Sequence, residues 1–444
     1  MGVSTRVAAP ANRAMTYDEF VRYLDETWVK HSVADTIRGY PFDELIDLLQ
    51  RRGNPERGLS FVHVTGSKGK GSTATLIGAI LTAHGLAAGT FTSPHLVRVE
   101  ERIRVNGVPV DGERLATTMT SLIDLSRALH HEPRQIWRLF LIAALEMFCQ
   151  DAIRVGAIEV GAGGRFDATN ALDAPVACLT PVTLEHAPRL GTTPSEIAAQ
   201  KVAIVKRGAI CVTARQTPAV AAVIEAGVAL AGGRLIQMGR DAGFALRASH
   251  PGGTQFDAWS PWSRFEGMDL GLLGAHQVEN AGMALTAVEC LLQRLGQRLN
   301  SDACRRALAQ ARWPGRLERL RQSPPLVYDG AHTPESARAL ADGLRVHFGD
   351  RRWTVIVGLV GRRDPRAFLE PLSGLAERVI AVPVPRFEQA APSDIVRAAR
   401  SLGLPADTAD SAAEAVATSD GPTCVTGTLY VYDQIVRYTE ATPR

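Results

Sequence analysis

FVHVTGSKGKGSTATLIGAILTAHG, residues 61–85, joins a short β-type run (Phe61-Val62-His63-Val64) to a glycine-rich turn and then to an apolar helical pattern that stops at Gly85. The turn is Gly66-Ser67-Lys68-Gly69-Lys70-Gly71-Ser72. Glycines there let backbone N–H groups wrap phosphate oxygens, and the helix N-terminus adds the positive end of its dipole. Lys70 is placed to reach β- and γ-phosphates. The spacing departs from the common GxxxxGK[ST] form, because Gly71 separates Lys70 from Ser72. The alternative is a tight turn with solvated lysines, and the strand–turn–helix context favours phosphate.

Working outward, residues 15–52 carry apolar positions at helical spacing. Buried-strand patterns fall at 157–160, 176–179 and 209–212, with helical stretches such as 135–148 and 194–205 between them. Alternation of this kind predicts a parallel sheet with helices on both faces. A Gly/Pro/Trp-rich patch at 251–267 reads as a loop or small excursion, and helical patterns return at 276–295 and 302–311. Trp313-Pro314-Gly315-Arg316 then breaks the periodicity and is taken as the linker.

A second alternation follows: strand 326–329, helix 335–347, strand 354–359, helix 365–377, strand 378–384, helix 393–402, an Ala-rich helix within 409–417 and strand 423–427. The fold class is therefore α/β, with a large P-loop-type parallel-sheet domain (1–311) and a smaller doubly wound domain (312–444).

The 444 residues carry a net charge of only +3, so neither a nucleic-acid coat nor global disorder is indicated. The first fifteen residues lack the apolar core of a signal peptide, and Arg6 breaks the myristoylation pattern. No uninterrupted apolar run of about 18 residues occurs, so no membrane span is expected and the compartment is read as cytoplasmic. Six scattered cysteines without CxxC spacing read as reduced core residues. Only five of the 49 basic residues are lysines (Lys30, Lys68, Lys70, Lys201 and Lys206); a chain that otherwise uses arginine tends to keep a lysine where its amine is needed, and the motifs decide which of them is such a place.

Three further segments carry chemistry. Thr92-Ser93-Pro94-His95-Leu96 by itself is an ordinary turn start. In IEVGAGGRFDATN (158–170) the carboxylate of Glu159 sits inside an apolar strand, a costly arrangement unless paired, with Mg²⁺ or an arginine as partner. His186 follows strand 176–179. Lys201 lies in the apolar helical segment EIAAQKVAIVK, where its amine must snorkel out, be modified or be paired.

These segments occur in order with ERIRVNG (101–107), HQVENA (276–281), WPGRLE (313–318), DGAHTPES (329–336) and TGTLY (426–430). Together they resemble the folylpolyglutamate synthase/dihydrofolate synthase branch of the Mur ligase superfamily, over about residues 16–440. The resemblance implies that ATP binds between the large domain and a Rossmann-like C-terminal domain. It also implies that an acceptor carboxylate is phosphorylated and that an amino acid, L-glutamate by family precedent, attacks the acyl phosphate. Carried over by position, Gly66 to Ser72 cradle the triphosphate with Lys70 as the phosphate lysine. Ser93 and Glu159 match the ligands of a first Mg²⁺ and His186 that of a second. Lys201 matches a lysine the family carries as a carbamate. Asn280 matches an adenine-side contact, Arg316 an arginine reaching the terminal phosphates, and Asp329 a second-domain contact to ATP, with His332 in the same turn. Trp137, Arg138, Phe166, Asp167, Ala168 and His332 fall at acceptor positions. Family members imply a monomer acting on small molecules, without nucleic acid or membrane.

The chain departs from the family pattern in several places. Glu185 stands where Asp is usual, Gln200 where Glu is usual, and Arg362-Arg363-Asp364 where Asp-Lys-Asp is typical. Trp137-Arg138 replaces a Phe-Glu pair of the pterin pocket. A guanidinium offers only donors, unlike the glutamate that suits a pterin's donor edge. Either Arg138 lines a pocket for a smaller or more acidic acceptor, or it is a solvated helix residue. A ligase repurposed for a non-folate carboxylate and a nucleotide-binding protein without ligation are the alternatives to folate chemistry.

Overall fold

A computed structural model describes residues 13–30, 42–131, 136–187, 189–385 and 388–441. The first twelve residues, the 31–41 part of the expected helical stretch and the start of the helix expected at 135–148 lie outside the described residues. The chain divides into two compact units, residues 1–243 with 282–304 and residues 244–281 with 305–444. The division expected at 311/312 differs from this one, since 244–281 and 305–311 group with the second unit.

The first unit begins with α1 (Tyr17–Lys30) and α2 (Phe42–Arg51). It continues through β1 (Ser60–Thr65), α3 (Lys70–Ala83), β2 (Ala88–Phe91), β3 (Ile103–Val105), β4 (Val108–Pro109), α4 (Gly112–Ala128) and α5 (Ile136–Gln150). After these come β5 (Val155–Glu159), β6 (Val176–Leu179), α6 (Pro194–Lys201), β7 (Ile210–Thr213), α7 (Pro218–Leu230) and β8 (Arg234–Gln237). Its sheet has the order β4-β3-β2-β5-β1-β6-β7-β8. The pairings from β2 to β8 are parallel, and β3 and β4 add an antiparallel edge.

Apolar side chains cover both faces, which is why β2, β5, β6 and β7 are buried along their whole lengths. One face packs Phe61, Phe91 and Ile158 against α1, α2, α4 and α5. The other packs Ala177, Leu179 and Cys211 against α6 and α7. The strands in the order β2-β5-β1-β6 all run the same way, so their C-terminal ends deliver Ser93, Glu159, the glycine-rich turn and the Glu185-His186 segment to one edge of the sheet.

The second unit holds β9 (Gly243–His250), β10 (Gly253–Trp259) and β11 (Arg264–Leu270), and in it α8 (Ala275–Arg294) begins. Of the two readings of 251–267, a loop or a small excursion, the loop is corrected here: most of the segment is the antiparallel β10–β11 pair. The strand alternation is present, with Thr254, Phe256 and Ala258 inward, but Gly252, Gly253 and Pro261 dominate the composition and mask it. After α9 (Ser301–Gln310) come β12 (Glu318–Arg321), β13 (Leu326–Tyr328), α10 (Pro334–Phe348), β14 (Trp353–Val357), α11 (Pro365–Leu369), β15 (Ala376–Ala381), α12 (Pro392–Ser401), β16 (Ala406–Thr408), α13 (Ala412–Ala417), β17 (Thr423–Thr426) and α14 (Tyr432–Ala441). The six-stranded sheet is ordered β12-β13-β17-β14-β15-β16, parallel except for β12. The helix expected to reach residue 377 stops at Leu369. Pro371 cannot continue the hydrogen-bond ladder, and only a single 3₁₀ turn follows. All six cysteines are free, five of them buried.

Arg138 is neither solvated nor free to meet a ligand. It is 0% exposed in α5, and its Nη1 donates to Glu44 Oε2 of α2 at 2.6 Å. Removing only the carboxylate leaves a guanidinium in the core without that counter-charge, whereas replacing Arg138 by methionine removes the need for one. Urea unfolding of Glu44→Ala should therefore show a loss of about 2–4 kcal/mol, and Arg138→Met a markedly smaller one. The reverse order would assign the pair no role in the core.

Candidate active site

The glycine-rich turn starts where β1 ends. Gly66 has φ 144°, and a Cβ there would lie 1.8 Å from Thr180 Oγ1, so no larger residue fits where the turn passes the chain leaving β6. Gly69, also left-handed at φ 85°, starts α3. α3 is apolar all round and buried (Leu76, Ile77, Ile80, Leu81), which anchors the turn to the core.

Two ammonium groups meet at this turn. Lys70 Nζ donates to Gly66 O at 2.9 Å and to Ser67 O at 3.3 Å. Lys201, 0% exposed at the end of α6, donates to the same Gly66 oxygen at 2.7 Å and to Glu185 Oε1 at 2.8 Å. Lys201 does not snorkel out: as an unmodified amine it is paired, with Glu185, beside His186. Burial, reinforced by Lys70, lowers the Lys201 amine to about 8. For Glu185 burial works to raise the carboxyl, yet Lys70 and Lys201 outweigh it and hold it below the usual range. His186 turns the chain with φ 49°, and burial lowers its imidazole. Two cations sharing one carbonyl leave positive charge to be balanced, which is what an incoming triphosphate supplies.

On the other side of β1, Glu159 ends β5, and its Oε2 accepts from the backbone N–H of Ser93 at 2.7 Å. A hydroxyl-bearing residue and a carboxylate thus stand together. Both are hard oxygen donors of the kind Mg²⁺ takes when phosphates and water complete its shell, so these residues fit the ion.

The loop after β5 carries Phe166, Asp167 and Ala168, three of the positions expected to meet the acceptor. Trp137 is half-buried, its ring 4.8 Å from that of Phe91, and its Nε1 donates to Asp167 Oδ1 at 3.4 Å. Asp167 also accepts from Ala162 N (3.1 Å), Thr169 N (3.0 Å) and the Thr169 hydroxyl (2.6 Å), and burial raises its carboxyl. Asp167 and Ala168, expected to contact the acceptor, are buried, and the first holds the loop's shape; Phe166, exposed, is free to meet a ligand. Arg165 N donates to Gln200 O (2.8 Å), and a Cβ on Gly164 would lie 2.6 Å from that oxygen, so the loop abuts the end of the Lys201 helix.

In the second unit, Asp329 follows β13 and accepts from Leu317 N and Ala331 N, both at 2.7 Å. Burial raises its carboxyl against the opposing pull of Arg316. His332 Nδ1 lies 2.8 Å from Gly330 O, and Asn280 Nδ2 donates to Gln277 Oε1 at 2.9 Å.

The structure brings Lys70 and Lys201 together, Ser93 beside Glu159, Trp137 beside Asp167, and Arg316 near Asp329; Arg138 is given to Glu44 instead. Contacts the sequence did not foresee are those of Glu185 with Lys201, of His63 and Thr65 of β1 with the 161–170 loop, and of Lys206 Nζ, which donates to Asn170 O (2.6 Å). For Glu185 a signal existed, since a lysine in an apolar helix demands a nearby carboxylate.

A chain that holds a P-loop-type parallel sheet with two lysines at its glycine-rich turn and, as a separate unit, a second mostly parallel sheet has the make-up of a Mur-type ATP-dependent ligase. Residues 64–288 match the Mur ligase middle domain and 315–422 the Mur ligase glutamate ligase domain. The chain belongs to the folylpolyglutamate synthase/dihydrofolate synthase family. It is 32% identical over 426 residues to folylpolyglutamate synthase of Lacticaseibacillus casei, covering 94% of this chain and 97% of that one. The Mycobacterium tuberculosis folylpolyglutamate synthase solved with ADP superposes with TM-score 0.83 at 28% identity, covering 94% and 97% of the two chains. An FPGS–AMPPCP–folate complex superposes with TM-score 0.81 at 30% identity, covering 96% and 100%. Among the described residues no helix is long and apolar enough to cross a membrane.

Lys201 also makes a pH prediction. Its amine titrates near 8 in the fold and near 10.5 when unfolded, so between these values the unfolded chain holds the extra proton and stability rises with pH. In carbon-dioxide-free buffer, the denaturation midpoint of Lys201→Met should lack the part of the rise from pH 8 to 10 that wild type shows. Parallel profiles would mean that the amine is not titrating there.

Proposed function

We propose that the chain joins L-glutamate to the carboxylate of a pteroyl acceptor, a dihydropteroate or a folate, through an acyl phosphate. The observation that carries this is the convergence of Lys70 and Lys201 on Gly66 O at the phosphate turn, in a chain so similar to a folylpolyglutamate synthase over nearly its whole length. The relative with folate bound supports the acceptor class. The half-buried Trp137 ring and the exposed Phe166 supply flat apolar surface for a fused aromatic ring, and Arg138 takes no part.

In this mechanism an acceptor carboxylate oxygen attacks the γ-phosphorus of ATP and ADP leaves. The glutamate amine then attacks the acyl carbon, loses a proton and expels phosphate. The backbone of Gly66 to Ser72 holds the triphosphate, and Lys70 moves from the turn's own carbonyls to the phosphates whose charge shifts. Ser93 and Glu159 would hold one Mg²⁺ and His186 a second, where the ions neutralise phosphate charge and orient the transferred group. Asn280 is assigned to the adenine, and Arg316, Asp329 and His332 to the phosphate and glutamate side. The enzyme is taken to act as a monomer in the cytoplasm.

The test offers dihydropteroate and tetrahydrofolate separately, with ATP, Mg²⁺ and glutamate, and reads products by mass spectrometry. A glutamyl adduct on either is expected, with Lys70→Ala folded but at least about 100-fold slower. Protein that binds ATP yet makes no adduct would send the assignment to a non-folate carboxylate.

We also assign Lys201 a carbamate in the working enzyme. An amine lowered to about 8 is partly neutral at physiological pH and so nucleophilic toward carbon dioxide. Protein equilibrated with ¹³C-labelled carbon dioxide should show a carbamate carbon resonance absent from Lys201→Arg. An identical spectrum in the two proteins would leave the Glu185 pair as the resting and working state alike.

A further inference from the structure

His63 stands in the middle of the strand that leads into the phosphate turn, where apolar residues would suffice. It is 0% exposed, and so is Thr65 two residues on. Alternate residues of a strand point to one face, and both of these side chains reach the 161–170 loop. Thr65 Oγ1 donates to Gly163 O at 2.7 Å, and His63 Nε2 lies 2.9 Å from Thr169 Oγ1.

The direction of each bond follows from the donors available. The Thr169 hydroxyl gives its proton to Asp167 Oδ1 at 2.6 Å, so its oxygen is left to accept, and Nε2 of His63 must carry a hydrogen. Nδ1 is then the unprotonated nitrogen. It is buried and, among the described residues, has no hydrogen-bond partner, so the polar anchor of the ring that they supply is the bond to Thr169. Burial, with Lys206 adding to it, drops the imidazole to about 3, so the ring is neutral throughout the working range. Beyond Asp167 the same chain of bonds reaches Ala162 N and the indole of Trp137.

We infer that His63 is a positioning residue for the acceptor: through Thr169 and Asp167 it fixes the orientation of Trp137 and of the loop backbone, and so ties the acceptor surface to the phosphate strand. This rests on the acceptor site proposed above. His63 itself touches no substrate, and its effect belongs in acceptor binding rather than in ATP binding.

The experiment compares His63→Leu, His63→Gln, Thr169→Val and the His63→Leu/Thr169→Val double variant. Glutamine keeps an N–H donor near the position of Nε2. His63→Leu and Thr169→Val should each raise the acceptor KM about tenfold, with the ATP KM within about twofold of wild type. His63→Gln should recover most of that loss, and the double variant should be no worse than the poorer single one. Equal rises in both KM values, additive effects or no rescue by glutamine would overturn the assignment. A ring-¹⁵N histidine spectrum supplies a readout that needs no substrate: the resonances lost in His63→Gln should show Nε2 protonated and Nδ1 bare, and should move in Thr169→Val. If wild type makes no adduct with either pteroyl acceptor, the acceptor class has failed. The His63 assignment is then decided by that spectrum, standing if Nε2 carries the hydrogen and Thr169→Val shifts it, and falling otherwise.

Discussion

The buried ammonium of Lys201 constrains everything around it. An unpaired charge at that depth would be untenable, so the fold must present both a carboxylate and a carbonyl to it. Glu185 and Gly66 O meet that need, and in doing so they join three separate pieces of chain: the end of α6, the segment after β6 and the head of the phosphate turn. Gly66 can pass Thr180 only because it lacks a Cβ, and Gly164 passes the end of the Lys201 helix for the same reason. The glycine-rich turn, the Glu185-His186 segment and the 161–170 loop are thus positioned from one point rather than as independent parts.

Geometry and electrostatics agree in this arrangement. A parallel sheet puts the C-terminal ends of adjacent strands side by side, and four neighbouring strands lead into the segments that hold Ser93, Glu159, the glycine-rich turn and Glu185-His186. Positive charge gathers at the turn, while the Ser93–Glu159 pair offers oxygen donors on the neighbouring strand ends. That separation of charge suits a reaction in which two anions, a carboxylate and a polyphosphate, must be brought together.

Much of this was legible before any coordinates. The glycine-rich turn, Glu159 inside an apolar strand, the oddly placed Lys201 and the repeated strand–helix alternation each break or obey a local rule that sequence displays. What stayed hidden depends on distance along the chain. Glu44 lies 94 residues from Arg138, so nothing local says that this arginine is a core residue. His63 looks like any histidine in an apolar run until Thr169, 106 residues away, is seen to accept from it. The β10–β11 pair was hidden by its turn-forming composition rather than by distance. Pro371 was a visible stop signal, overridden in the periodic reading by the apolar residues around it.

The scarcity of lysine has a further consequence. Acyl phosphates acylate free amines, and an enzyme that makes one exposes itself to its own intermediate. An arginine surface is inert to such attack, because the guanidinium stays protonated and is a poor nucleophile. In this chain the amines are few: Lys68 and Lys70 in the phosphate turn, Lys201 locked behind it, and Lys206 tied to the acceptor loop by Asn170. Lys68, Lys70, Lys201 and Lys206 are gathered in the glycine-rich turn and in the segments bonded to it or to the 161–170 loop, so an acyl phosphate formed there would find few lysine amines elsewhere in the sequence.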